Sequence, residues 1–274
     1  YHYVKGGSET YYFGLAKLLQ SYGHEVIYFA MADKNNIECK QDKFFVSNVD
    51  FNGDISKMQK IKAGFRVLYS FEAKKCISAL IEQEHPDVVH INLVHRHLTL
   101  SIVRAIKKYN IPIVFTAHDL NCICPNHEML CNGNVCEECL HGKYSSCIKN
   151  KCLKGSAAKS ALAAIEAINY KRMKIYDDID LIITPSYFYK KKFEESGIIH
   201  TKIIHMKNFL PTDTQYSSEN PDKGYLLYFG RISEEKGIIT LVKAVEKLQN
   251  DTPLYILGTG AIEDEVKSYI SSHK

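Results

Sequence analysis

Short, continuously apolar runs alternate with helix-length amphipathic segments along nearly the whole chain, and this alternation most constrains its fold. The runs are Asp87 to Ile91, Pro112 to Thr116, Leu181 to Thr184, Tyr225 to Phe229 and Leu254 to Leu257. A run that is apolar at successive positions suits a strand covered on both faces, which is the setting of a parallel sheet. The segments between them read as helices: Ser70 to Gln83, stopping before Pro86; Leu98 to Lys108; Ser156 to about Tyr176; a short one ending near Gly197; Gly237 to Gln249, with Leu241, Ala244, Val245 and Leu248 inward; and a last one carrying Ile262, Val266, Tyr269 and Ile270. At the front, Ser8 is expected to cap a helix bearing Tyr11, Leu15, Leu18 and Leu19, closed by Gly23 and followed by a strand from Glu25 to Phe29. Strand and helix in turn predict a doubly wound α/β fold.

The pattern pauses twice. Asp33 to Lys60 is polar and weakly periodic, so it reads as a loop-rich excursion. Residues 208–223, with Pro211 and Pro221, read as a linker between a first domain (1–207) and the start of a second (224–274). The second part sits at the bottom of the usual domain size range and would leave a parallel sheet with an open edge, so an incomplete domain is expected there. The glycine turn and helix at the front come with no strand before them, and an N-terminal truncation is expected on that ground.

Charge is nearly balanced, 35 basic against 31 acidic side chains, which excludes nucleic-acid binding through a general positive field. No apolar stretch reaches the roughly 20 residues needed to span a bilayer, and nothing resembles a secretory signal, so a cytoplasmic location is the default.

Several groups fall where ligands collect in open α/β sheets, at the carboxyl ends of strands. Gly6 and Gly7 stand at the mouth of a helix, where bare backbone and free N–H groups attract anions; the plain alternative is two glycines making a turn. His118, with Asp119 beside it, ends a buried strand. Gly230, Arg231, Glu235, Lys236 and Gly237 follow another strand, so a guanidinium that grips two phosphate oxygens and an ammonium lie at a helix start; the alternative is a solvated charged loop. Gly258-Thr259-Gly260 is a second glycine turn, but Glu263 stands where a dinucleotide fingerprint needs its third glycine, which argues against dehydrogenase chemistry.

Seven of the nine cysteines, Cys122, Cys124, Cys131, Cys136, Cys139, Cys147 and Cys152, crowd into one segment. Cys124, Cys136, Cys139 and Cys152 give a C-x11-C-x2-C-x12-C array near the spacing of tetrahedral thiolate zinc sites, with Cys147 and Cys122 as spare ligands. A structural zinc there would stiffen a long loop; reduced thiols are the alternative.

The ordered set Gly6-Gly7-Ser8-Glu9, Gly23-His24-Glu25-Val26, Thr116-Ala117-His118-Asp119, Gly230-Arg231 with Glu235-Lys236-Gly237, and Gly258-Thr259-Gly260 resembles the retaining GT-B glycosyltransferases of family 4. The cysteine segment, about 121–155, resembles a branch of that group with a cysteine-rich insertion. The resemblance implies two Rossmann-like doubly wound parallel sheets, the second incomplete here, and transfer of a sugar from a nucleoside diphosphate donor to a hydroxyl with retention and no catalytic metal. It implies that Arg231 and Lys236 stabilise the leaving diphosphate, that His118 contacts the transferring sugar, and that Gly6, Gly7, Asn208 and Gly230 line the substrate. Phe209 replaces the usual glycine after Asn208, and Ala261 replaces a common proline. The family's spaced pair of donor-binding glutamates has no counterpart, since Glu263 and Glu265 have the wrong spacing, so this polypeptide alone is expected to be nearly inactive. A glycan or glycolipid acceptor, cell-surface polysaccharide assembly and peripheral contact with the inner membrane face are family-level expectations. Two rivals are a non-enzymatic zinc module on an α/β scaffold and a GT-B nucleotide-sugar epimerase.

Overall fold

A computed structural model describes residues 1–48, 64–210, 224–248 and 251–273. The chain divides into two compact units, Tyr1–Thr214 and Gln215–Lys274. Most of the expected linker, and the expected excursion beyond residue 48, lie outside the described residues, as does Gln249.

The first unit opens with helix α1 (Gly7–Ser21). Its N-cap is Gly6 and no side chain caps it. Ser8, expected as the cap, lies one residue inside the helix and donates its hydroxyl to Glu9 at 3.1 Å. Capping needs the extended backbone of the preceding residue, which here is Gly6. Helix α2 (Phe71–Glu84) leads to strand β1 (Val89–Asn92), helix α3 (Ser101–Lys107) and strand β2 (Ile113–Thr116). Next come a small antiparallel hairpin, β3 (Leu130–Cys131) with β4 (Asn134–Val135), and helix α4 (Ser145–Lys149) in the cysteine segment. Helix α5 (Ala157–Met173), strand β5 (Leu181–Thr184), helix α6 (Tyr187–Ser196) and strand β6 (Ile203–His205) complete the unit. Three of its helices start where the sequence provides a true cap: Ser70, Ser156 and Ser186 accept the N–H of Ala73, Lys159 and Tyr189. Such a cap stabilises a helix by about 1 kcal/mol.

The four strands pair in parallel in the order β1-β2-β5-β6. Phe115, Ile113 and Ile182 are fully enclosed in the sheet, with Ile106, Leu100 and Phe193 packed from the helices. Asp180 braces the sheet from below, accepting the N–H of Ile113 at 2.8 Å and an ion pair from Lys107 at 3.0 Å, which holds its carboxyl below the usual range.

The expected strand Glu25 to Phe29 is extended but is not a strand. Among the described residues its backbone bonds to no other segment, and the nearest ladder contact is a single bridge between Met31 and Val46. An apolar run becomes a strand only when a neighbour accepts its backbone groups.

The second unit contains strand β7 (Leu226–Phe229), helix α7 (Ile238–Val245), strand β8 (Leu254–Leu257) and helix α8 (Glu263–Ser272), with β7 and β8 parallel. Its core is Ile232, Ile238, Val242 and Val266. Helix α7 is therefore phased differently from expectation. Ile238 and Val242 face inward with Leu241 beside them, whereas Ala244 and Leu248 are exposed. The spacing was readable, but tertiary packing sets the buried face on Ile238 and Val242 rather than on Ala244 and Leu248.

Candidate active site

The first unit gathers a polar network at the carboxyl end of its sheet. Along β1 the run Val88-Val89-His90-Ile91-Asn92 alternates, so Ile91 enters the core while His90 and Asn92 share the other face. Across the register, His90 and Asn92 sit beside Val114 and Thr116 of β2. His90 Nε2 lies 2.7 Å from Thr116 Oγ1, which also meets the Tyr11 hydroxyl at 3.4 Å. His118, two residues past the end of β2, places Nε2 2.8 Å from Asn92 Oδ1. Its ring packs edge-on against Tyr11 at 4.9 Å, and Tyr11 packs against Phe209 at 5.4 Å. Strand ends, the first turns of α1 and the segment after β6 thus meet at one place.

Burial decides the protonation of this network. His90 is pushed down to about 4, by burial first and by His118 second. His118 is also lowered by burial, although Asp119 and Glu9 oppose the shift. Both rings are neutral near pH 7, so His118 offers hydrogen bonds rather than charge. A contact to Asn92 Oδ1 makes Nε2 the donor in that bond.

Gly6 and Gly7 stand at the exposed mouth of α1. Gly6 is extended, and a Cβ added at Gly7 would meet no atom within 4 Å. Neither residue has to be glycine to form the turn, and the first-turn N–H groups carry no side-chain cap. Asn208 is exposed, and its neighbour Phe209 packs within 3.5 Å of the position of a Cβ on Gly14.

In the second unit, Gly230 ends β7 with a positive φ of 147°. Arg231 follows, largely exposed, and its guanidinium is 3.8 Å from Glu235. Glu235 is held below the usual carboxylate range, first by the Ser233 hydroxyl at 2.5 Å. A tight turn, Glu234–Lys236, then places exposed Lys236 before Gly237, which opens α7 with a φ of 66°. The glycine turn after β8 packs directly on this loop. A Cβ at Gly258 would lie 1.9 Å from the Gly230 carbonyl oxygen, and one at Gly260 would lie 2.0 Å from that of Ile232. Three backbone bonds stitch the turns together: Gly230 N–H to Leu257, Ile232 N–H to Thr259, and Ile262 N–H to Ile232.

The cysteine segment folds against the first unit's core. Cys124, Cys136, Cys139, Cys147 and Cys152 line one small cavity of about 10 Å³. Among the described residues, no three His, Cys, Asp or Glu side chains are grouped to hold a metal ion. Burial pushes Cys139 and Cys147 up to about 12 and raises Cys124 and Cys152. The segment is tied down by Arg96, whose guanidinium bonds the Pro125 carbonyl and pairs with buried Glu166 at 3.8 Å. Burial pushes the Glu166 carboxyl up to about 7, with Arg96 pulling the other way.

Sequence reading singled out His118 but missed its partners. His90 and Asn92 carried a usable signal, since each is polar in an otherwise apolar strand run. Thr116 stood in the run Thr116-Ala117-His118-Asp119 and Tyr11 on the apolar face of the first helix, but neither carried a sign of the contact with His90 or His118. Among the described residues, no helix is long and apolar enough to cross a membrane.

Comparison with known proteins brings one family into view. No curated protein matches the chain. The model of "Glycosyltransferase Family 4" matches residues 5–214, more than half of the sequence and the whole parallel sheet with its polar carboxyl edge. The chain belongs to glycosyltransferase family 4, a GT-B-type glycosyltransferase family.

Proposed function

We propose that this protein transfers a sugar from a nucleoside diphosphate donor to a hydroxyl of a glycan or glycolipid acceptor, with retention of configuration. The observation that carries the reading is the network of Tyr11, His90, Asn92, Thr116 and His118 at the carboxyl edge of the sheet, beside the uncapped start of α1. A neutral His118 held by Asn92 and Tyr11 is suited to bond a hydroxyl of the transferring sugar. The open space over Gly7 leaves the helix N–H groups free to approach an anionic or polar group. On the second unit, exposed Arg231 and Lys236 are suited to the charge that grows on a leaving diphosphate, a role for preorganised cations. Gly230 and Asn208 are assigned to substrate binding, and no catalytic metal enters the reading. Cell-surface polysaccharide assembly, a cytoplasmic setting and contact with the inner membrane face belong to the same proposal.

Calorimetric titration with uridine diphosphate, paired with product analysis, tests it. Nucleotide binding lost in Arg231→Ala and kept in His118→Ala is the expected result, with transfer by a His118→Ala variant read only in a chain that carries the donor-binding glutamates. Binding unchanged by Arg231→Ala would overturn the assignment of the cation.

The cysteine-rich segment supports a structural zinc as part of the proposal, held by Cys124, Cys136, Cys139 and Cys152. The donor set is of the right kind, five thiols on one cavity, but the thiols would have to turn together and release their protons. About one zinc per chain, lost in Cys136→Ser with Cys139→Ser, is expected by elemental analysis; metal-free protein with full stability would remove zinc from the reading.

A further inference from the structure

The carboxyl edge of the first unit's sheet carries a second cluster of rings, on the strands beyond β2. Strand β5 ends at Thr184, and Ser186 caps helix α6 by accepting the N–H of Tyr189. That cap sets Tyr187 and Phe188 in the first turn of α6, where both are exposed, Tyr187 at 72%. Strand β6 ends at His205, level with Thr184 across the register. The Tyr187 ring lies against the His205 ring, with centroids 4.0 Å apart and planes inclined by 36°. Exposed Met206 follows, its N–H held by the Thr184 carbonyl at 3.0 Å. Paired rings with an open face offer a flat apolar surface with polar groups at its rim.

One short segment joins this cluster to the candidate active site. From His205 the chain runs four residues to Phe209, whose ring meets that of Tyr11 at 5.4 Å and lies 3.5 Å from where a Cβ on Gly14 would stand. Tyr11 in turn packs on His118 at 4.9 Å. The register gives the span: Thr116 pairs with Ile183 and Ile183 with Ile204, so two strand spacings, about 10 Å, separate the two ends of this track. From the α6 side, burial raises the Tyr189 hydroxyl and Asp119, the neighbour of His118, raises it further. The lysines of α6 are matched by acids: Lys190 and Lys191 pair with Glu194 and Glu195 at 3.7 Å, and Lys192 with Glu137 at 2.7 Å. Lys207, exposed in the joining segment, adds one cation, against the roughly four to eight of a lipid-binding cluster.

We propose that Tyr187 and His205 form a stacking platform for a neutral pyranose ring of the acceptor, set back from the unit whose hydroxyl receives the transferred sugar. The inference rests on the reading of this edge as the site of sugar transfer. The C–H face of a pyranose is apolar and covers an aromatic ring, while the hydroxyls at its rim reach polar groups such as the Tyr187 hydroxyl and exposed Asn208. A track of this length is wider than one sugar ring, so it selects an acceptor of two or more sugar units over a monosaccharide. Phe209 is a positioning residue here: seated between Tyr11 and Gly14, it fixes the course of the segment that joins the platform to His118.

The test titrates the 274-residue chain with maltose-series and chitin-series sugars of one, two and three units, followed by the amide shifts of Tyr187, Met206 and Asn208. The trisaccharides are expected to bind roughly tenfold more tightly than the monosaccharides. Tyr187→Ala is expected to erase that gain and Tyr187→Phe, which keeps the ring, to retain it. Both changes are at an exposed position outside the core, so the thermal midpoint is expected to stay that of the parent. Equal affinity at every length, a gain that survives Tyr187→Ala or is lost in Tyr187→Phe, or no saccharide binding at all would overturn the platform. So would phosphatidylglycerol vesicles binding through Tyr187 in place of the saccharides. Uridine diphosphate titrated into the same samples reports the transferase reading separately. Saccharide binding without nucleotide binding keeps the platform and counts against that reading, whereas nucleotide binding without saccharide binding removes the platform alone.

Discussion

Replacing Thr116 with valine removes one hydroxyl from the centre of the polar network and nothing else. Valine has nearly the same shape, so no cavity opens, and residue 116 is only 1% exposed, so water does not replace the lost group. The hydroxyl meets His90 Nε2 at 2.7 Å and the Tyr11 hydroxyl at 3.4 Å, of which only the first is a short bond. Leaving a buried imidazole nitrogen unpaired costs about 1–3 kcal/mol. For a unit of this size each kcal/mol moves the midpoint by roughly 2–4 °C, so a loss of about 2 kcal/mol lowers it by roughly 4–8 °C. Thermal unfolding of Thr116→Val at pH 7.5, followed by circular dichroism, measures this directly. A midpoint within about 1 °C of the parent would refute the bridging role of the hydroxyl and the account of His90 with it.

Acid should destabilise the first unit earlier than its carboxylates alone would. His90, His95 and His97 are each lowered to about 4 by burial, so their stabilisation is present above about pH 6.5 and lost as pH falls toward 4. Glu166, raised to about 7, contributes the opposite sign by holding a proton in the folded state that it releases on unfolding, but it is one group against three. Net uptake of about two protons on unfolding gives a slope of at most roughly 2.7 kcal/mol per pH unit between about 5 and 6; a flat urea midpoint across that range would count against it. Arg96→Met should lower stability by roughly 3 kcal/mol, because it strands Glu166 and frees the Pro125 carbonyl, and adding Glu166→Gln should restore part of the loss. Additive denaturation midpoints for the two changes would exclude that coupling. Ser70→Ala should cost about 1 kcal/mol by removing the cap on α2, whereas Ser8→Ala should cost almost nothing, since Ser8 caps no helix. Equal losses in the two variants would contradict the assignment of Gly6 as the cap of α1.

Much of the architecture was legible because parallel strands advertise themselves as unbroken apolar runs. Pro112 to Thr116 and Leu181 to Thr184 became β2 and β5 almost residue for residue. Glu25 to Phe29 read the same way and is no strand, because pairing depends on a neighbour that local sequence does not encode. The phase of α7 was lost for a related reason: tertiary contacts choose which apolar residues are buried, and Ile238 with Val242 won over Ala244 and Leu248. At the site, His118 was found from its position at a strand end, while the bond from Asn92 that orients it spans two strands and has no local signature.

Gly258 and Gly260 leave the second unit with an unusual division of labour between path and chemistry. Their bare backbone lies so close to Gly230 and Ile232 that the loop bearing Arg231 takes its course from its neighbour. The side chains of Arg231 and Lys236 point outward and take no part in that seam. Exchanging them should therefore resemble changing the tool in a fixed holder: recognition can be rewritten at residues 231 and 236 without rebuilding the loop. A methyl group at residue 258 or 260 would force the holder itself apart.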